Sequence, residues 1–279
     1  MSGINAGSGP VLLIGGRGKT GSRVTDALEA KGIAVRLGSR SATPSFDWHD
    51  ASTWPAAMEG ASAAYITYYP DVTVPGAVEA IEAFVRLALD SGLRRLVLLS
   101  GRGEEEAIRA EQVLIGSGAD WTVVRASWFM QNFSESFLAE GVVSGEVVFA
   151  ADAVREPFVD VEDIADVVVE ALTGDGHVGQ IYELTGPRLI TFAEAVGEIA
   201  EVTGRQIRYV PLSVDDYAEG LRQAGVPDEY IDLLVMLTRE VLDGRNESLS
   251  DGVRRALGRE PRDFRDYARA AAASGVWKG

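Results

Sequence analysis

The stretch LLIGGRGKTGSR, Leu12 to Arg23, gathers glycines and cations in a pattern that can hold a phosphorylated ligand. Gly18-Lys19-Thr20 looks like the end of a triphosphate loop. Gly16, Gly18 and Gly21 instead spell G-x-G-x-x-G, and Gly15, Gly18 and Gly21 spell G-x-x-G-x-x-G. A Walker loop needs a further glycine five residues before its Gly-Lys-Thr. That position is Leu13, inside an apolar run, which disfavours a P-loop NTPase. The dinucleotide reading has its required context, because the motif follows a short apolar strand and opens a helix. Glycines there allow a tight turn and close backbone approach, and the helix N-terminus faces the pyrophosphate. The candidate cofactor-binding residues are therefore Gly15, Gly16, Arg17, Gly18, Lys19, Thr20 and Gly21.

A site for NAD carries an acid about 20 residues on, bonded to the ribose 2′-hydroxyl. Here the second strand ends Arg36-Leu37-Gly38-Ser39-Arg40-Ser41, with no acid. Arg40 and the serines, Ser39 among them, suit a 2′-phosphate, and Arg17 can join them. NADP(H) is the expected cofactor.

Catalytic groups are harder to find. Short-chain dehydrogenases move a proton with a Tyr-x-x-x-Lys pair, in which the lysine lowers the tyrosine pKa. The only lysines are Lys19, Lys31 and Lys278, and none stands four residues after a tyrosine. Where the pair would sit, after the strand ending in Ser100, the chain reads Glu104-Glu105-Glu106. Those acids suit the first turn of a helix. Reducing a ketone creates an alkoxide that needs an acid or an oxyanion stabiliser. Reducing an iminium consumes its charge and needs only hydride, and a conjugated acceptor can take its proton from water. A site without the pair suits acceptors that are already electrophilic, held against nicotinamide in a dry aromatic pocket.

Open α/β sheets bind ligands at the carboxyl ends of their strands. The residues there are Thr67, Tyr68 and Tyr69, then Ser100 and Gly101, then Ala126, Ser127, Trp128, Phe129 and Met130. Tyr68, Tyr69, Trp128, Phe129 and Met130 are the candidate substrate pocket, although such aromatic and Met clusters are also ordinary core. Ser100 and Tyr68 are the candidates for a catalytic role. Ser100 is equally a ligand to the carboxamide or a plain turn serine. Asn132 is expected to fix its loop.

The elements that must position these residues follow from periodicity. Strands are expected at 11–15, 33–39, 63–69, 94–101 and 120–127. Helices are expected at 19–32, around 54–58, at 76–92 and at 104–118. Strand–helix alternation of this kind builds a Rossmann-like, doubly wound parallel sheet, an α/β fold. After about residue 128 the rhythm changes. A strand at 146–152, a helix at 161–174 and a strand at 180–187 precede helical patterns at 214–224, 227–243 and 261–273. Thr191 and Glu194 form a capping box. The expected organisation is a disordered lead at 1–10, a cofactor domain at 11–128 and 155–187, and a smaller, mainly helical C-terminal substrate lobe made of 129–154 and 188–279.

The totals narrow the function further. A chain of 279 residues with 46% hydrophobic and 24% charged residues can bury a sizeable core. The net charge of −16 repels phosphate backbones and argues against nucleic acid. There is no cysteine, and His49 and His177 stand alone, so no metal site is expected. No apolar run reaches the roughly 20 residues of a membrane span. The first residues lack a basic targeting segment. A cytoplasmic protein with no membrane partner is expected, either monomer or homodimer.

Three motifs together, GGRGKTGSR, FDWHDASTW and SWFMQNFSE, resemble those of the festuclavine synthase and agroclavine dehydrogenase family, within the NmrA-like atypical short-chain dehydrogenases. FVDVEDIADV, 158–167, is typical of the wider group. The resemblance implies a Rossmann-fold NADPH reductase acting on a cyclic iminium or similar acceptor. It also implies Asp47 with Trp48 near the adenine, and Thr67 with Tyr68 beside the cofactor ribose. One departure is Arg17, where relatives carry a small residue. The expected activity is hydride transfer from NADPH to an electrophilic small molecule, a cyclic iminium or imine or a conjugated carbonyl or quinone. The second reading is a non-catalytic, NADP-binding redox sensor of the NmrA-like type, which the missing pair permits.

Overall fold

A computed structural model describes residues 9–278. In chain order the elements are β1 (Val11–Ile14), α1 (Lys19–Ala30), β2 (Val35–Gly38), α2 (Trp54–Met58), β3 (Ala63–Ile66), α3 (Ala77–Asp90), β4 (Arg95–Gly101), α4 (Glu105–Gly116) and β5 (Asp120–Ala126). There follow α5 (Asn132–Glu135), α6 (Ala139–Ser144), β6 (Glu146–Phe149), β7 (Arg155–Glu156), α7 (Val161–Thr173), β8 (Gln180–Leu184), β9 (Ile190–Thr191) and α8 (Phe192–Thr203). The last are β10 (Arg208–Pro211), α9 (Val214–Gln223), α10 (Asp228–Glu240), α11 (Gly252–Leu257) and α12 (Phe264–Ser274).

Six strands form one parallel sheet in the order β2-β1-β3-β4-β5-β8. β1 and β3 are wholly buried, as strands covered on both faces must be. On one face Leu12, Ile14, Ala64, Ile66, Leu96 and Leu98 meet Phe84, Ala88, Ala107 and Leu114 of α3 and α4. α1 and α7 pack on each other, and α7 also packs on β3, β4 and β5. Because β2 and β3 flank β1 on opposite sides, the chain reverses direction at β1. The crevice at such a switch point is where doubly wound folds take ligands.

The chain divides into two compact units: Met1–Ala126 with Val161–Leu184 and Asp251–Arg259, and Ser127–Asp160 with Thr185–Ser250 and Glu260–Gly279. The second unit is mainly helical around an aromatic core of Phe133, Phe149, Phe158, Phe192 and Phe264. The capping box starts α8: the Thr191 hydroxyl accepts from Glu194 N–H, and the Glu194 carboxylate accepts from Thr191 N–H.

Two expected boundaries need correction. The segment 251–259 belongs with the sheet rather than with the C-terminal lobe. α11 packs on β8 and α7, with Gly252 against the Glu183 backbone and Arg259 bound to Asp163 and Asp166 at 2.7 and 2.5 Å. Residues 155–160 leave the sheet unit, because β7 pairs antiparallel with β9. Of the lead, residues 1–8 lie outside the described residues. Gly9 and Pro10 are held, their carbonyls accepting from the Ser62 hydroxyl at 2.6 Å and the Ser62 N–H at 2.9 Å.

One close backbone contact of the sheet unit lies at the start of α1. A Cβ on Gly21 would collide with the Gly15 carbonyl and lie 2.7 Å from Gly16 Cα. Backbone cannot yield to a side chain there. Gly21→Ala is expected to cost about 1–3 kcal/mol. Chemical denaturation without cofactor measures it, and an unchanged midpoint would show that the contact is not needed.

Candidate active site

The turn from β1 into α1 is built by glycines with distinct tasks. Gly15 adopts φ +74°, which side chains rarely tolerate. Its Cβ position is already filled by the Thr67 hydroxyl, which donates to the Ile14 carbonyl at 2.9 Å. Gly16 is enclosed by Leu13 and Leu37. Gly18 differs, because a Cβ there would meet only the Gly15 carbonyl, at 3.3 Å. Gly18 is also the N-cap of α1, with extended backbone and no side-chain cap, and no acid stands in the first turn. The N–H groups of Thr20 and Gly21 are thus presented at a positive helix end without a competing carboxylate. This cradle fits a pyrophosphate. Lys19 is half-buried, its carbonyl accepting from Arg23 at 2.8 Å. Thr20 is buried beside Tyr65, whose phenol is pushed well up by burial and only partly brought back by the Thr20 hydroxyl.

Beyond β2, Arg17 donates to the Ser41 hydroxyl at 3.1 Å, and Ser39 and Ser41 hydroxyls lie 3.4 Å apart. Arg40 is exposed. Two arginines and two serines, with no acid, thus stand at the end of β2.

At the end of β3, the Trp48 indole N–H donates to the Thr67 carbonyl at 3.0 Å. The Trp48 ring lies 5.0 Å from that of Tyr68 and edge-on to Phe46 and Trp54. Asp47 shapes the turn before it. Its carboxylate accepts from His49 N–H at 3.0 Å and its carbonyl from the Trp54 indole at 2.7 Å. The motif FDWHD is thereby tied to the loop at Thr67. Tyr68 is half-buried, and burial raises its phenol, so it stays protonated at neutral pH. Tyr69 is 67% exposed.

Ser100 stands otherwise than its candidacy implies. It is 4% exposed, and its hydroxyl donates to Glu111 at 2.6 Å. Glu111, fully buried on α4, is gripped by Arg125 at 2.9 and 2.5 Å. Arg125 also reaches Glu183 at 3.2 Å, and Arg102 meets Glu183 at 2.8 Å. The hydrogen bond from Arg125 to Glu111 holds the guanidinium pKa above its usual value. Ser100's single proton is therefore committed inward, to a carboxylate. This chain of side chains joins α4 to β4, β5 and β8, and reading the sequence for motifs missed it. The signal was present: Glu111 interrupts the buried stripe Ala107, Ala110 and Leu114 of α4.

In the other unit, Trp128 packs edge-on against Phe137, Phe149 and Phe192. Met130 is fully buried in the same core, so its side chain serves packing. Phe129 is half-buried and pairs in a bridge with Val159. Asn132 N–H donates to the Phe129 carbonyl at 3.1 Å, which ties this loop. Ser127 is buried, and its hydroxyl has no partner. Among the described residues no group of His, Asp and Glu could hold a metal, and no helix is long and apolar enough to cross a membrane.

No family model matches the chain. Over 275 residues it is 30% identical to agroclavine dehydrogenase of Claviceps fusiformis, covering 92% of this chain and 95% of that protein. The chain belongs to the festuclavine synthase and agroclavine dehydrogenase family. It is also 30% identical to festuclavine synthase II of Penicillium roqueforti over 281 residues, covering 92% and 96% of the two chains. The members of this family are oxidoreductases, and so is this one. Its fold matches that of an NADPH-dependent quinone oxidoreductase from Escherichia coli solved with NADPH, at TM-score 0.76 and 21% identity, covering 93% and 99% of the chains. NmrA shares the fold at TM-score 0.72 and 15% identity, covering 97% and 99%.

If the Glu111 network is structural, its loss is costly without cofactor. Glu111→Ala, which leaves Arg125 with Glu183 alone and Ser100 without its acceptor, is expected to destabilise by about 3–5 kcal/mol. Ser100→Ala removes one hydrogen bond to a charged group and is expected to cost about 1.5–3 kcal/mol. Urea unfolding of the two variants measures both, and equal costs would contradict the ranking.

Proposed function

We propose that the protein is an NADPH-dependent reductase of electrophilic small molecules, cyclic iminium or imine compounds or conjugated carbonyls and quinones, working without a Tyr-x-x-x-Lys pair. The observation that carries this reading is α4. In place of a tyrosine and lysine, it offers Glu111, locked between Ser100 and Arg125. Both oxygens of that side chain are taken up as acceptors, and the Ser100 proton is already committed to it. Bound NADPH supplies the hydride. The chain supplies position: the α1 N-terminus for the pyrophosphate, Arg17, Ser39, Ser41 and Arg40 for the 2′-phosphate, and the Trp48–Tyr68 pair beside Thr67 for the cofactor's ribose and adenine. Ser100 then supports the strand end from below rather than acting on substrate.

The chemistry closes without a protein acid. An iminium carbon that accepts hydride becomes a neutral amine, and no further proton is needed; a neutral imine first takes a proton from water to become that iminium. A conjugated carbonyl that accepts hydride at its β-carbon becomes an enolate, which water protonates. Tyr68, whose phenol burial pushes further up, and the exposed Tyr69 shape the surface above the β3 end. The relatives named as agroclavine dehydrogenase and festuclavine synthase support a small-molecule redox substrate.

Two predictions test this reading. NADPH is expected to bind more tightly than NADH, and Arg17→Asp and Arg40→Asp each to narrow or reverse the preference. Gly18→Val is expected to abolish binding of both cofactors while circular dichroism stays unchanged. Titration at fixed salt measures both, and equal wild-type affinities would sink the 2′-phosphate assignment. The second concerns turnover of NADPH with a panel of iminium, quinone and enone acceptors. Tyr68→Phe and Tyr69→Phe are expected to change kcat by less than about tenfold, since loss of a true general acid costs about 10²–10⁴-fold. A thousandfold collapse with intact cofactor affinity would make that tyrosine the acid. Tight NADPH binding with no acceptor reduced would favour the sensor reading.

A further inference from the structure

Strand β3 sends two hydroxyls toward the glycine loop, and they fare differently. Ala64 and Ile66 face α3 and α4, so alternation turns Tyr65 and Thr67 to the opposite side, where α1 and α7 pack. The Thr67 hydroxyl is satisfied by the Ile14 carbonyl at 2.9 Å. Tyr65 is fully buried, and its oxygen has no hydrogen-bond partner. Its partner in register is Leu13 of β1, just before the glycine turn. The Thr20 hydroxyl of α1 lies beside the phenol. It is close enough to draw the raised pKa partly back down, yet outside hydrogen-bond geometry.

A buried hydroxyl without a partner bears its full desolvation cost, and a phenylalanine would fill the same space without it. Locally unfavourable choices of this kind belong to functional positions. Thr20 supplies the link to function. It is the second residue of α1, and its backbone N–H is one of the donors that the helix presents with no side-chain cap and no acid in the first turn. One residue therefore carries both the N–H offered to an anion and the hydroxyl beside the unpaired phenol. Gly21, next to it, is held against the Gly15 and Gly16 backbone.

We infer that Tyr65 is a positioning residue for the pyrophosphate: when an anion fixes the first turn of α1, the phenol closes its hydrogen bond onto the Thr20 hydroxyl and holds that residue's N–H on the ligand. This rests on the cofactor reading above. The coupling is reciprocal, so whatever the anion adds to the phenol's bond, the phenol adds to the anion's affinity.

The consequence is an opposition of signs that a purely structural tyrosine does not produce. Tyr65→Phe removes an unsatisfied polar atom, so the cofactor-free protein is expected to melt about 2–4 °C higher. The same variant is expected to bind NADPH about three- to tenfold more weakly. ADP, which keeps the pyrophosphate and has no nicotinamide, is expected to weaken by the same factor. Adenosine 2′-phosphate, which has no pyrophosphate, is expected to keep its wild-type affinity. Thr20→Val, which replaces the hydroxyl by a methyl, is expected to match Tyr65→Phe in NADPH affinity, and the double variant to be no weaker than either. The measurements are thermal melts without ligand and calorimetric titrations with the three ligands. Unchanged NADPH affinity in Tyr65→Phe overturns the inference. So does equal weakening toward adenosine 2′-phosphate, additive losses in the double variant, or a lowered melting temperature of Tyr65→Phe, since each marks a packing role. A wild type that binds none of the three ligands overturns the cofactor reading itself, a distinct result.

Discussion

The sheet unit depends on one backbone contact, the approach of Gly21 to Gly15 and Gly16. Only a residue without Cβ lets α1 begin so close to the end of β1. That closeness aims the helix N-terminus across the strand's carboxyl end, where its partial positive charge is available to an anion. Thr67 completes the joint from the neighbouring strand. It occupies the space above Gly15 and ties β3 to β1 through the Ile14 carbonyl. Trp48 in turn ties the turn after β2 to Thr67. The glycine loop, the aromatic ledge and the β3 end are therefore one interlocked piece of backbone.

A second polar core lies two strands away. Ser100, Glu111, Arg125, Glu183 and Arg102 alternate hydroxyl, acid and base across α4, β4, β5 and β8. A buried carboxylate is tolerable only when its lone pairs are filled, and Glu111 has three donors on its two oxygens. The helix that would carry a proton-relay pair is thus spent on holding the sheet.

Much of this was legible along the chain. The strands and helices of the sheet unit sit within a few residues of their expected bounds, because short apolar runs and 3.6-residue stripes report burial directly. The glycine fingerprint was legible because its meaning is local: strand, turn, helix. So was the capping box at Thr191. The return of α11 to the sheet was not. Its evidence is Arg259 against Asp163 and Asp166, pairs nearly a hundred residues apart that no window spans.

The sequence by itself determined the fold class, the dinucleotide loop, the absence of cysteine chemistry and of a Tyr-x-x-x-Lys pair. These are statements about residue types and short spacings, which sterics and periodicity translate without a partner. Only the tertiary structure decided what individual polar side chains do. Ser100 and Ser127 are both serines at carboxyl ends of neighbouring strands, alike in sequence context. One is bonded to a buried carboxylate and the other has no partner. Hydrogen bonds are short-ranged and directional, so the role of a hydroxyl is set by what lies within about 3 Å of it. That is a property of packing between distant segments, and no spacing along the chain records it.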